Sequence, residues 1–133
     1  MNFRASFCDP FKPDIIEIGK IEREKILETF HKIPWLDYLT KMKTAKQKEI
    51  FYSPSLEIEN SNNKNGISVS AIDETEWYIF FKRPKLVKRF FGLTEKMDNN
   101  YLTDIQGQTE KDVTDCLNAL INNDLEFLEN KIK

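Results

Sequence analysis

The 133-residue chain has little of what several kinds of chemistry require. Its two cysteines, Cys8 and Cys116, lie far apart in no CxxC pattern, with no companion histidine at metal spacing, which argues against a disulfide framework or a zinc site. The four glycines, Gly19, Gly66, Gly92 and Gly107, are widely separated, so neither a GxGxxG fingerprint nor a P-loop can be written. Residues 1–10 contain isolated aromatics and no apolar run of signal-peptide length, so the expected location is the cytoplasm, with no membrane partner. Neither sign of charge dominates. Twenty Lys and Arg stand against 22 Asp and Glu, a net charge of -2, which excludes a globally basic nucleic-acid binder.

What is present suits one globular unit. With 40% hydrophobic and 32% charged residues, the expectation is a single domain over 1–133 with enough apolar surface to build a core without staples. Heavy use of Lys, Ile and Asn with little Ala and Gly is the bias of AT-rich coding, and a bacterial source is the expectation from it.

Alternation places strands in the middle of the chain. Ile50, Tyr52, Leu56 and Ile58 occupy even positions among polar odd ones, which reads as one half-buried strand, with Pro54 assigning it to a sheet edge or a bulge. Asn65-Gly66 then supplies a hairpin signal before Ile67, Val69 and Ala71, and residues 73–76 reverse the chain into Trp77-Tyr78-Ile79-Phe80-Phe81. This predicts a three-stranded antiparallel meander whose third strand is apolar on both faces. Residues 14–18 and 101–105 are candidates for one or two further strands.

Helical spacing flanks the meander. Ile26, Leu27, Phe30 and Ile33 share one face, Pro34 interrupts, and Trp35, Leu36, Leu39 and Met42 restart the stripe, so two short helices are expected. Leu86, Val87, Phe90 and Phe91 have helical spacing ahead of Gly92, predicting another short helix. Thr109 with Asp112 forms a capping box before Val113, Cys116, Leu117, Leu120 and Ile121, Asn122-Asn123-Asp124 breaks that helix, and Leu125, Leu128 and Ile132 add a last amphipathic turn or two. The class is α+β: an antiparallel sheet, the meander plus one or two further strands, covered by N- and C-terminal helices.

No catalytic set emerges. His31 is the only histidine, and nothing local sets either thiol beside it. The plainer readings are a surface helical residue for His31 and a small core hydrophobe for Cys116. Asp73-Glu74-Thr75-Glu76 crowd a turn, where carboxylates stay solvated and make at best a weak cation site. No cofactor and no metal is expected.

The anomaly is electrostatic. Residues 82–96 hold six cations against Glu95, a net charge of +5, while the stretch from 98 onward holds eight acids against three lysines, net -5. An ordinary solvated helix face accounts for the cations, and opposed patches also steer docking. The expected function is a non-catalytic protein-binding or self-associating module, of regulator, chaperone-like or immunity-like role. Trp77, Tyr78, Phe80, Lys82, Arg83, Lys85, Lys88 and Arg89 are its candidate contact residues, and a homodimer is one way to cover the spare aromatic face. Two alternatives stand beside it: single-stranded nucleic-acid binding through the basic-aromatic segment 80–91, and a small-ligand carrier or unrecognised enzyme.

Overall fold

The computed structural model describes residues 2–89 and 92–133, and of Arg89 the backbone only. Six strands form one antiparallel sheet: β1 (Phe3–Cys8), β2 (Ile16–Ile21), β3 (Ser55–Asn60), β4 (Gly66–Ala71), β5 (Trp77–Arg89) and β6 (Thr94–Gln108). Their order across the sheet is β2-β1-β3-β4-β5-β6. The link from β2 to β3 passes over β1, and it carries the helices α1 (Ile26–Lys32) and α2 (Trp35–Thr44). Helices α3 (Glu110–Ile121) and α4 (Leu125–Lys131) follow β6. The fold is α+β, as the residue pattern predicts.

One face of the sheet holds the core. Phe3, Ala5 and Phe7 of β1, Leu56 and Ile58 of β3, Ile67 and Val69 of β4, and Ile79 and Phe81 of β5 point toward the helices and are buried. They meet Ile26, Phe30, Trp35 and Leu39 from α1 and α2, and Val113, Cys116, Leu117 and Leu120 from α3. Each such large side chain contributes about 1.5–3 kcal/mol by leaving water, so this layer dominates stability.

Local signals fix the helix ends. The Thr109 hydroxyl accepts from the Asp112 N–H while the Asp112 carboxylate accepts from the Thr109 N–H at 2.8 Å, closing the expected capping box. Asn123 takes φ 55° in the break, and Asp124 caps α4 by accepting from the Phe127 N–H. Pro34 stands between α1 and α2 as expected.

Four local expectations are corrected. The segment from Leu86 is not helical: Leu86 and Val87 continue β5 and pair with Met97 and Lys96 of β6. A ladder already closed from Trp77 zips onward past a bulge near Arg83, and that pairing overrides the helical spacing. Phe90 and Phe91 lie outside the described residues. Gly92 (φ +84°) serves the turn into β6 rather than a helix stop. The strand read from Ile50 begins only at Ser55 and lies inside the sheet, between β1 and β3's other neighbour β4. Pro54 precedes its first bridge and needs only its carbonyl, which accepts from the Ala71 N–H at 3.2 Å. In the β3–β4 turn the positive φ belongs to Lys64, at 65°, while Gly66 is the first residue of β4. The strand expected at 101–105 is the middle of the much longer β6, which bulges opposite Trp77 and Ile79 where Gly107 takes φ +68°.

Candidate functional site

The candidate residues divide by the two-residue period of β5. Trp77 faces the helices, 7% exposed, with its ring 5.0 Å from Trp35 and 5.2 Å from Phe30. Tyr78 and Phe80 face the other way. Their rings stack 4.3 Å apart at an interplanar angle of 7°, and the Tyr78 hydroxyl donates to Asp104 Oδ1 at 3.0 Å.

Among the described residues no helical one lines the hollow beside Phe80. Across the strands, Tyr78 lies in one row with Ser70, Ser55 and Cys8, and Phe80 lies in the next with Ser68, Glu57 and Ser6. Lys82 shares a third row with Gly66, Glu59 and Arg4. The aromatics on β5 thus rise beside small side chains on β4, with Ser55, Glu57 and Glu59 beyond them on β3. The step between them leaves a shallow hollow of ≈ 440 Å³, lined by Cys8, Ser55, Ser68, Ser70, Phe80 and Leu102 among others. The Ser55 and Ser70 hydroxyls join at 2.6 Å on its floor.

The cations of the basic segment are largely matched by carboxylates. Lys82 Nζ lies 3.1 Å from Glu59 and 3.7 Å from Glu57. Partial burial works against its charge, but the hydrogen bond to Glu59 and the field of both carboxylates outweigh this and hold its pKa above the ordinary lysine value. Arg83 is 4% exposed and faces the helices: Nε and Nη2 grip both oxygens of Glu129 at 2.8 and 2.9 Å, and Nη1 donates to the Phe81 carbonyl and to Thr103 Oγ1. Its guanidinium lies between the Phe81 and Tyr101 rings, 4.2 and 4.6 Å from their centroids. Arg83 therefore clamps α4 to the sheet. Its hydrogen bonds hold the Glu129 carboxyl below the usual range, against the opposing pull of partial burial.

Beyond Lys82, β4 has ended and β5–β6 continue as a two-stranded ribbon. Lys85 pairs in register with Asp98, Lys88 with Glu95, and Arg89 with Thr94. Leu86 and Met97 sit opposite each other, 57% and 47% exposed, so the apolar line of Tyr78 and Phe80 runs on into the ribbon. Sequence reasoning missed this stretch because its residues match a helix period as well as a strand period.

The catalytic alternatives find no shared cleft among the described residues. His31 Nδ1 is 3.8 Å from Glu110 on the helical side, where both side chains are more than half exposed. Cys8 lines the hollow on the opposite face, and burial followed by the Glu57 charge raises its pKa. Cys116 is fully buried in α3, its thiol pushed up to about 11 chiefly by burial, which makes it a poor nucleophile. The acidic turn borders a second hollow of ≈ 360 Å³ with Pro34, Trp35, Leu36 and Glu110. There Asp73 Oδ1 accepts from the N–H groups of Thr75 and Glu76, which lower the carboxyl's pKa and tie that oxygen to the turn itself. Among the described residues no group of three or more His, Cys, Asp or Glu could hold a metal ion, and no helix is long and apolar enough to cross a membrane.

No family model, curated protein or solved structure matches the chain.

Proposed function

We propose that the protein is a non-catalytic binding module that docks a protein surface, its own or another's, against the uncovered face of its sheet. The stacked Tyr78–Phe80 pair carries this reading: two large rings held parallel, with Phe80 beside a hollow whose lining residues lie on strands. Large rings of this kind form the energetic centres of protein interfaces. Ser68 and Ser70 on β4 leave room beside them for an incoming side chain or backbone, and Lys82, Glu57, Glu59 and Asp104 supply polar groups in and around the hollow. Lys88 and the exposed Leu86 extend the surface along the ribbon, whereas Trp77 and Arg83 support it from beneath.

Nucleic-acid binding is the weaker reading. A phosphate track needs cations free to replace counterions, and Lys82, Arg83 and Lys85 each have a carboxylate within 4 Å. The test is the double variant Tyr78→Ala, Phe80→Ala. Oligomer mass or retention of a co-purifying protein is expected to fall while far-UV circular dichroism keeps its helical signal. If both readouts match the wild type, the open face is not the docking surface.

A further inference from the structure

We infer that the hollow between α2 and the acidic turn is a binding site for a small organic amine that carries a neutral oxygen acceptor. It is lined by Trp77 and not by Tyr78 or Phe80, and so stands apart from the proposed docking face.

The walls and the rim differ in kind. Trp35, Leu36 and Trp77 give the hollow of ≈ 360 Å³ much of its apolar surface. That volume is within the roughly 300–1,000 Å³ of small-molecule sites. The charged side chains among the described residues that line it are Asp37, Asp73, Glu74 and Glu110, with no Lys, Arg or His beside them. Two of these carboxylates have loose outer partners: Glu74 is 3.8 Å from Lys43 and Glu110 is 3.8 Å from His31, all four side chains being more than half exposed. Asp73 is tied to its own turn through Oδ1. Asp37, in the first turn of α2, has no hydrogen-bond or ion-pair partner among the described residues. A rim of one sign over apolar walls suits an alkylammonium, whose charge meets the carboxylates while its chain leaves water.

An unused donor adds a second requirement. Trp77 is 7% exposed, yet its indole N–H has no acceptor among the described residues, whereas the Trp35 N–H donates to the Phe30 carbonyl at 2.9 Å. A buried indole N–H ordinarily finds a partner. Among the described residues the side-chain atom both sealed and unpartnered is Ser61 Oγ, so the Trp77 N–H is open to solvent, and the hollow is a cavity that Trp77 lines. The ligand therefore offers an oxygen to this N–H at one end and an ammonium to the rim at the other. A free amino alcohol has this chemistry, and so has a lysine side chain beside its peptide carbonyl.

Both tryptophans of the chain line the hollow, so intrinsic fluorescence reads its occupancy. The full-length protein is titrated with aminohexanol at neutral pH and constant ionic strength, and a saturable change with a Kd of about 1 mM is expected for so small a molecule. Hexanediol, which lacks the charge, should bind about 10-fold more weakly, and hexylamine, which lacks the acceptor, about 3- to 10-fold more weakly. The double variant Asp37→Asn, Glu110→Gln should weaken aminohexanol about 10-fold, and Glu126→Gln on α4 should leave it unchanged. No saturable change with aminohexanol overturns the site. Equal binding of hexanediol, an unaltered Kd in the double variant, or equal weakening by Glu126→Gln overturns the rim and the amine with it. Equal binding of hexylamine overturns the acceptor. N-acetyl-lysine methylamide separates the two sources: tighter binding than aminohexanol assigns the site to a protein lysine, and weaker binding to a free amine.

Discussion

Phe80 and Phe81 are neighbours in sequence and opposites in circumstance. Phe81 is fully buried beneath the helices with the Arg83 guanidinium against its ring, whereas Phe80 is partly exposed and stacked on Tyr78. The same side chain is a structural necessity on one side of the ribbon and a spare surface on the other. On the covered face apolar residues occupy position after position across β1, β3, β4 and β5. On the open face β5 and β6 carry large apolar groups, whereas β4, β3 and β1 carry serine, cysteine, glycine and charge. Tyr78 and Phe80 are the large rings of that open face, and the proposed docking rests on them.

The contrast can be broken or sharpened by mutation. Phe81→Ala should be the most damaging change, about 3–5 kcal/mol in urea unfolding, because it empties a fully packed site. Phe80→Ala should cost less than about 1.5 kcal/mol in the same assay. Equal losses at the two positions would mean that the open face is not open. Arg83→Ala comes next, at about 2–4 kcal/mol, because it strips Glu129 and Thr103 of their partner together. Lys85→Ala, with the same carboxylate at 3.5 Å but half exposed, should change stability by less than about 0.5 kcal/mol.

A smaller effect belongs to neither face. Thr109→Ala should cost about 1 kcal/mol through loss of the α3 cap. Its partner Asp112 is held below the usual carboxylate range, first by the Thr109 N–H and also by Lys131, against some desolvation. A depressed folded-state pKa adds stability that is fully present above the unfolded value near 4 and lost as pH falls through the folded one. The melting temperature should therefore fall as the solution is acidified below about pH 4, and Asp112→Asn should flatten that dependence. An unaltered acid limb in Asp112→Asn would remove the cap from the account.

Much of this architecture was legible because its signals are local. The capping box at Thr109, the break at residues 122–124 and the interruption at Pro34 each act over a few residues, and the doubly apolar run at Trp77–Phe81 needs only a two-residue period. The failures occurred where distant pairing decides. Residues 86–89 fit two periods, and only the presence of β6 selects one of them. Strand β1 is not among the expected strands, although Phe3, Ala5 and Phe7 alternate with polar residues, because both of its partners lie further along the chain. Of the candidate contacts, the alternation along β5 could have separated Trp77 from Tyr78 and Phe80. Nothing local could have shown that Arg83 is satisfied by Glu129, 46 residues further on.

The place of β1 between β2 and β3 has a consequence for assembly in time. Its hairpin mate β2 follows within a few residues, but its other neighbour lies beyond two helices, so Ala5 waits for Ile58. On a ribosome the early hairpin would emerge with Phe3 and Phe7 bare, and a hairpin alone is marginal in water. The later meander pairs near neighbours and closes quickly, which makes it the natural template onto which the older segment docks last.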